Sequence, residues 1–139
     1  MAVFRDAAQL YECIGGFFRR AQVDPNLRSK VAAAKIKVRF AYSEPEATIT
    51  VNAKDPTSGA GFDVIEGPSP EPVDVYMTMK ADVAHRFWLG KVNLIAAINR
   101  GEMKVRGPIQ GIIRLLPLLN PAFEMYRNHI KELGYEDLM

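Results

Sequence analysis

The sequence predicts an α+β domain in which helices cover one face of a five-stranded, mostly antiparallel sheet. Three observations carry that prediction. Apolar residues recur at helical spacing up to Ala34, alternate in separate runs between Lys35 and Lys80, and return to helical spacing from Ala81. A short alternating run framed by Gly101 and Gly107 adds one strand late in the chain. The length, 139 residues, is that of one domain, and 48% hydrophobic with 24% charged residues is an ordinary globular balance. Residues 1–139 are therefore read as a single unit, with a folded surface of roughly 7,200 Å² expected from size scaling.

Taken in chain order, Phe4, Ala7, Ala8, Tyr11, Ile14 and Phe18 fall three and four apart and predict one amphipathic helix over the first 20 residues. Asp24-Pro25 reads as an N-cap with proline at the first helical position, opening a short helix through Val31 to Ala34. Ile36, Val38, Phe40 and Tyr42 then alternate with Lys35, Lys37 and Arg39, and Ala47, Ile49, Val51 and Ala53 alternate with Thr48, Thr50 and Asn52. These are two strands, each with a wet and a buried face, joined by the turn Ser43-Glu44-Pro45. Loops rich in Gly and Pro lead to a third strand near Phe62 to Ile65 and to a fourth carrying Val73, Val75, Met77 and Met79. Four successive strands with short connections predict an antiparallel meander. Asp82 reads as the cap of a helix carrying Val83, Ala84, Phe87 and Trp88 and ended by Gly90; Asn93 caps another carrying Leu94, Ile95 and Ile98. Met103 and Val105 mark the fifth strand. Pro108 opens an apolar helix from Ile109 to Leu116 that Pro117 breaks, and Asn120-Pro121 starts the last helix, with Phe123, Tyr126, Ile130 and Leu133 on one face.

Much chemistry is missing. The sequence contains no phosphate loop, nucleophile elbow, His-Glu-x-x-His or calcium loop. Cys13 is the only cysteine, which excludes an intramolecular disulfide and a cysteine-based structural zinc site, and its apolar neighbours mark it as a small buried hydrophobe. His85, three residues after Asp82, reads as a surface histidine beside a helix-capping acid; His129, among Arg127, Asn128 and Lys131, reads as the wet side of the last helix. No catalytic residue, metal or cofactor is expected. A net charge of +2 without a recognised binding fold argues against nucleic acid. The most apolar stretch, Ile109 to Leu119, is interrupted by Gln110, Arg114 and Pro117 and falls short of the roughly 20 residues a bilayer crossing needs. The first residues mix acid and base where a secretory signal needs an apolar run, so a cytoplasmic protein is expected. The charge is nonetheless uneven. Residues 80–114 carry seven Lys or Arg against two Asp or Glu, and residues 41–79 one against seven. The basic stretch suits a transient contact with an anionic membrane surface, or is simply the solvated side of its elements.

The large, soft hydrophobes concentrate in the second half: Met77, Met79, Phe87, Trp88, Leu94, Ile98, Met103, Val105, Ile112, Leu116, Phe123, Met125 and Tyr126. They come from two strands and several helices that can converge on one apolar volume. Composition alone makes them ordinary core, but methionine adapts its shape and also suits a site for varied greasy ligands.

Residue order adds to this. The stretch Val73-Asp74-Val75-Tyr76-Met77-Thr78-Met79, the helix Ala81 to Gly90, and the glycine-framed Gly101-Glu102-Met103-Lys104-Val105-Arg106-Gly107 together resemble the sterol carrier protein (non-specific lipid-transfer) family. The resemblance covers roughly Ala32 to the C-terminus and is most specific from Val73 to Leu116. It implies that sheet and helices enclose an apolar tunnel that binds fatty acids, acyl-CoA, phospholipid, sterol-like or isoprenoid-like molecules without catalysis. The chain lacks the peroxisomal C-terminal tripeptide and the fused thiolase or dehydrogenase domain of animal members, so a stand-alone bacterial-type lipid or isoprenoid carrier fits better than a sterol carrier. The ligand is expected between the sheet residues Met77, Met79, Met103 and Val105 and the helices bearing Phe87, Trp88, Leu94, Ile98, Ile112 and Leu116. The last helix, with Phe123, Met125 and Tyr126, is expected to close the mouth, with Pro117 and Asn120-Pro121 as its hinge or merely as helix ends. The other reading is an accessory interaction module for a lipid- or quinone-biosynthesis enzyme. Monomer and homodimer both remain open.

Overall fold

The computed structural model describes residues 2–139. Their surface is 7223 Å², close to the value expected from chain length. The N-terminal helical path runs as α1 (Ala7–Leu10), a π-helical turn (Tyr11–Gly15) and α2 (Gly16–Val23). The helix expected over the first 20 residues is thus real but wider in its middle turn. The Asp6 side chain caps its start by accepting from the Gln9 amide, and the turn leaves the Glu12 carbonyl free to meet the ring of His129. Asp24 caps α3 (Pro25–Ala34), accepting from the amides of Asn26 and Leu27, with Pro25 in the first turn as its fixed φ favours.

The sheet contains β1 (Lys37–Ser43), β2 (Ala47–Asn52), β3 (Asp63–Glu66), β4 (Val75–Lys80) and β5 (Met103–Arg106) in the order β3-β2-β1-β4-β5. Three of its pairings are antiparallel and one, β1 with β4, is parallel. The expected meander is therefore wrong at its third step. β3 turns back along β2 to the sheet edge, and β4 crosses to the other side of β1. Register explains the preference. Placing β4 beside β1 aligns Val75, Met77 and Met79 with Val38, Phe40 and Tyr42 in continuous apolar rows. β3 would offer only four residues bounded by Asp63 and Glu66, a composition suited to an edge. The crossing is clamped at its start, where the Lys37 amide donates to the Asp74 carboxylate at 3.0 Å and the Asp74 amide donates to the Lys37 carbonyl at 2.9 Å.

β4 runs without a break into α4 (Ala81–Trp88). Asp82 does not cap this helix; Lys80 holds the cap position, and the Asp82 carboxylate accepts from the Val3 amide, tying down the N-terminus. Asn93 caps α5 (Leu94–Asn99), accepting from the Ala96 amide. After β5 the apolar helix expected from Ile109 to Leu116 is only α6 (Gln110–Ile113). It is followed by a 3₁₀ turn (Leu116–Leu118) that passes directly into α7 (Leu119–Glu132). Pro121 sits in the first turn of α7, where its missing N–H removes a donor that has no helical partner anyway. The helices pack on the apolar sheet face. No helix is long and apolar enough to cross a membrane among the described residues.

The two glycines that frame β5 differ in what they do. Gly101 takes a positive φ of +76° in open space. Gly107 takes +104°, and a Cβ there would collide with the carbonyl oxygen of Asp74, the residue that clamps β4 to β1. Gly107→Ala is therefore expected to lower stability by about 2 kcal/mol or more, and Gly101→Ala by about 1 kcal/mol, in urea unfolding. Equal costs at the two positions would contradict this account of the frame.

Candidate functional site

Three rows of side chains form the floor under the helices: Val51, Val38 and Val75; Ile49, Phe40, Met77 and Val105; and Ala47, Tyr42, Met79 and Met103. The helical layer does not fill the space above them. One cavity of about 70 Å³ lies over the β1-β4-β5 half, lined by Phe40, Tyr42, Met77, Met79, Phe87, Trp88, Leu94, Met103, Ile112, Leu115, Leu116 and Leu119. A second, of about 100 Å³, lies over the β1-β2 half. Its lining comes from Phe17, Phe18 and Ala21 of α2, Leu27 and Val31 of α3, Ile36, Val38, Phe40 and Val51 of the sheet, Phe62, Trp88, Leu115, Leu118, Leu119 and Ala122. Tyr42 is the only hydroxyl-bearing residue in either lining. A surface groove of about 370 Å³ runs past the first cavity between the α4–α5 turn and the start of α7. It shares Phe87, Leu94, Leu116 and Leu119 with that cavity and adds Lys91, Ile95 and Phe123. The side of the groove formed by α5 carries Ile95, which is 45% exposed.

Of the sequence-predicted site residues, Met77, Met79, Phe87, Trp88, Leu94, Met103, Ile112 and Leu116 meet around the first cavity. Phe123 is on the outer groove. Val105 continues the Met77 row onto the edge strand, and Ile98 and Met125 pack against the core without lining either cavity. Tyr126 is fully buried in packing. α7 thus contributes Phe123 to the mouth but turns Tyr126 inward against Phe17. The residues missed are Phe17, Phe18, Phe40 and Tyr42 of the N-terminal half above all, and with them Leu115 and Leu119 around the 3₁₀ turn. The inward alternation of Phe40 and Tyr42 in β1 was the signal that could have found two of them.

The residues with acid–base or nucleophilic potential are occupied elsewhere. His85 is not on the surface but 2% exposed. Its Nε2 donates to the Leu138 carbonyl at 2.8 Å and its Nδ1 accepts from the Tyr126 hydroxyl at 2.6 Å. Burial pushes the Tyr126 hydroxyl far above its ordinary range, so it stays a donor. The same burial, outweighing the Leu138 carbonyl and Asp82, holds His85 below its ordinary value. His129 is likewise buried rather than wet, with Nε2 on the Glu12 carbonyl at 3.0 Å and Nδ1 facing the Arg20 guanidinium at 3.4 Å. Sequence neighbours misled because Arg127, Asn128 and Lys131 lie elsewhere around the helix. Burial raises the Cys13 thiol to about 12, which keeps it protonated and unreactive. Among the described residues no group of His, Cys, Asp or Glu is arranged to hold a metal ion.

The family model of the SCP-2 sterol transfer family matches residues 17–120. No curated protein matches the sequence. Among solved structures, the fold is similar to sterol carrier protein 2 from Yarrowia lipolytica in its apo form, at 20% identity and TM-score 0.65, covering 88% of this chain and 98% of that one. It is also similar to a conserved protein of Thermus thermophilus regarded as a candidate sterol carrier protein (11% identity, TM-score 0.58, 87% and 86% covered). A third is a ubiquinone synthesis protein, UbiJ-SCP2 (19% identity, TM-score 0.57, 84% and 89% covered).

The His85 contacts give a pH dependence with a defined sign. The folded chain resists protonating His85, whereas the unfolded chain takes up that proton below about pH 6.5. Stability is therefore full above that value and declines as pH falls through it. The urea midpoint of the wild type is expected to fall between pH 7 and 5 more steeply than that of His85→Gln; parallel slopes would contradict the assignment.

Proposed function

The chain belongs to the SCP-2 sterol transfer family, and on that premise we propose that it binds and carries hydrophobic ligands in the apolar space between sheet and helices without catalysing a reaction on them. The ligand range is fatty acid, acyl-CoA, phospholipid, or a sterol- or isoprenoid-like molecule, handled in the cytoplasm. The observation that carries this reading is the pair of adjacent apolar cavities, the first of which shares its wall with a surface groove. Cores are close-packed with few voids larger than a water molecule, so two adjacent cavities favour a binding space. The engagement of His85 and the protonated state of Cys13 support a binding role over a catalytic one.

Sequestering about 400 Å² of ligand surface is worth on the order of 10 kcal/mol, which ordering costs reduce to an affinity near micromolar or somewhat tighter. Selectivity is loose, because an apolar wall distinguishes one methylene by only about 1–3 kcal/mol. The groove at the mouth, lined in part by residues of the basic stretch 80–114, with exposed Ile95 and with Lys91 donating to the Met139 oxygen, is the face we assign to transient contact with anionic membranes.

The likeness to the ubiquinone synthesis protein favours the second reading, an accessory module of a lipid- or quinone-biosynthesis enzyme. Under that reading a defined biosynthetic enzyme co-purifies stably and vesicle-to-vesicle transfer is absent.

The test is transfer of a fluorescent fatty acid between vesicles. The wild type is expected to accelerate transfer, more with anionic lipid and less with added salt. Leu116→Asp, which places a carboxylate in both cavity and groove, should weaken binding by about tenfold or more with an unchanged circular dichroism spectrum. Unchanged affinity in the folded variant would sink the carrier assignment, and salt-independent transfer would remove the membrane contact.

A further inference from the structure

The two cavities are separated by side chains, not by backbone. The residues common to both linings are Phe40 of the central strand, Trp88 at the end of α4, and Leu115 and Leu119 on either side of the 3₁₀ turn built on Pro117. Each cavity alone is small. An engineered apolar cavity of about 150 Å³ accepts one benzene, whereas these hold about 70 and about 100 Å³. Neither admits a fused-ring system. A linear chain that reached from one cavity to the other would pass between these four side chains, Trp88 among them.

Trp88 stands at this boundary at the end of a helix. It is the last residue of α4, followed at once by the reversal at Leu89 and Gly90, whose φ is +85°. Edge contacts surround its ring: Phe17 and Phe87 at 4.9 Å between centroids, Phe18 at 5.8 Å and Phe123 at 6.4 Å. These edge-to-face contacts hold the ring across the boundary between the two cavities. The floor beneath is Phe40, in a strand paired on both sides.

We propose that the two cavities are lobes of one bent site for an unbranched, single-chain lipid, and that Trp88 partitions the site, setting the chain length it prefers and excluding ring systems. This rests on the carrier reading above. It narrows the ligand class from hydrophobic molecules at large to linear acyl or comparable chains long enough to reach both lobes. It also makes Trp88 a specificity-determining residue.

The test measures binding of octanoate, palmitate and cholesterol to the wild type, Trp88→Ala and Trp88→Phe. The wild type is expected to prefer palmitate to cholesterol, and Trp88→Ala to narrow that preference by about tenfold as the lobes merge into a wider space, with Trp88→Phe between them. Trp88 is the only tryptophan in the chain, so the wild type carries its own reporter. Palmitate should shift its emission and shield it from a soluble quencher more than octanoate does, a readout that stands even if the alanine variant fails to fold. Cholesterol bound by the wild type as tightly as palmitate, an unchanged preference in folded Trp88 variants, or palmitate binding that leaves Trp88 emission unmoved would each overturn the partition while the carrier reading stands. A wild type that binds none of the three overturns both.

Discussion

The parallel pairing of β1 with β4 is the constraint from which the site follows. It sets Phe40 beside Met77 and Tyr42 beside Met79, so the centre of the sheet presents large, adaptable side chains to the helices. Because β4 leads directly into α4, the same pairing fixes where that helix departs and carries Trp88 over the central strand, where it lines the cavities on both halves of the floor. The reciprocal contact between Lys37 and Asp74 locks the pairing at one end, and Gly107 keeps β5 close enough to the same aspartate to complete the floor.

The helices above that floor close it imperfectly. Voids cost about 24 cal/mol per Å³, so the two cavities forgo on the order of 2 kcal/mol each. Larger side chains at α6 or at the 3₁₀ turn could fill them. Cover is instead assembled from short pieces, α5, α6 and the turn around Pro117, next to the surface groove. The other side of the helical layer is built differently. There the Tyr126–His85–Leu138 chain and the His129 contact with the π-helical turn of the first helix join α7 to α4, to the C-terminal segment and to the N-terminal helices through hydrogen bonds of two buried histidines. The helical layer thus has hydrogen-bonded joints on one side and short, void-lined cover on the other.

Fold class was legible because period is a local property. The alternation in β1, β2, β4 and β5 and the caps at Asp24 and Asn93 are all set by residues close in sequence. Strand order was not, because the choice between β3 and β1 as partner for β4 depends on which side of the sheet gains an apolar row. The site was legible in part for the same reason. Met77, Met79 and Met103 follow from alternation, and Phe87, Trp88 and Leu94 from the helical spacing of two short helices. The second cavity was invisible, since Phe17, Phe18 and Phe62 reach it only through the packing of α2 and α3 on the far half of the floor. The histidines were misread because neighbours in sequence are a poor guide to which side of a helix a partner element will cover.

A carrier and an interaction module can share this architecture; occupancy of the apolar space separates them from an ordinary core. The most direct measurement is native mass spectrometry of gently purified protein, followed by organic extraction of what accompanies it. The account predicts a retained mass in the range of a fatty acid, phospholipid or isoprenoid, released on unfolding. Protein that is empty and also fails to take up a fluorescent fatty acid would contradict it, and the cavities would then be no more than loose packing.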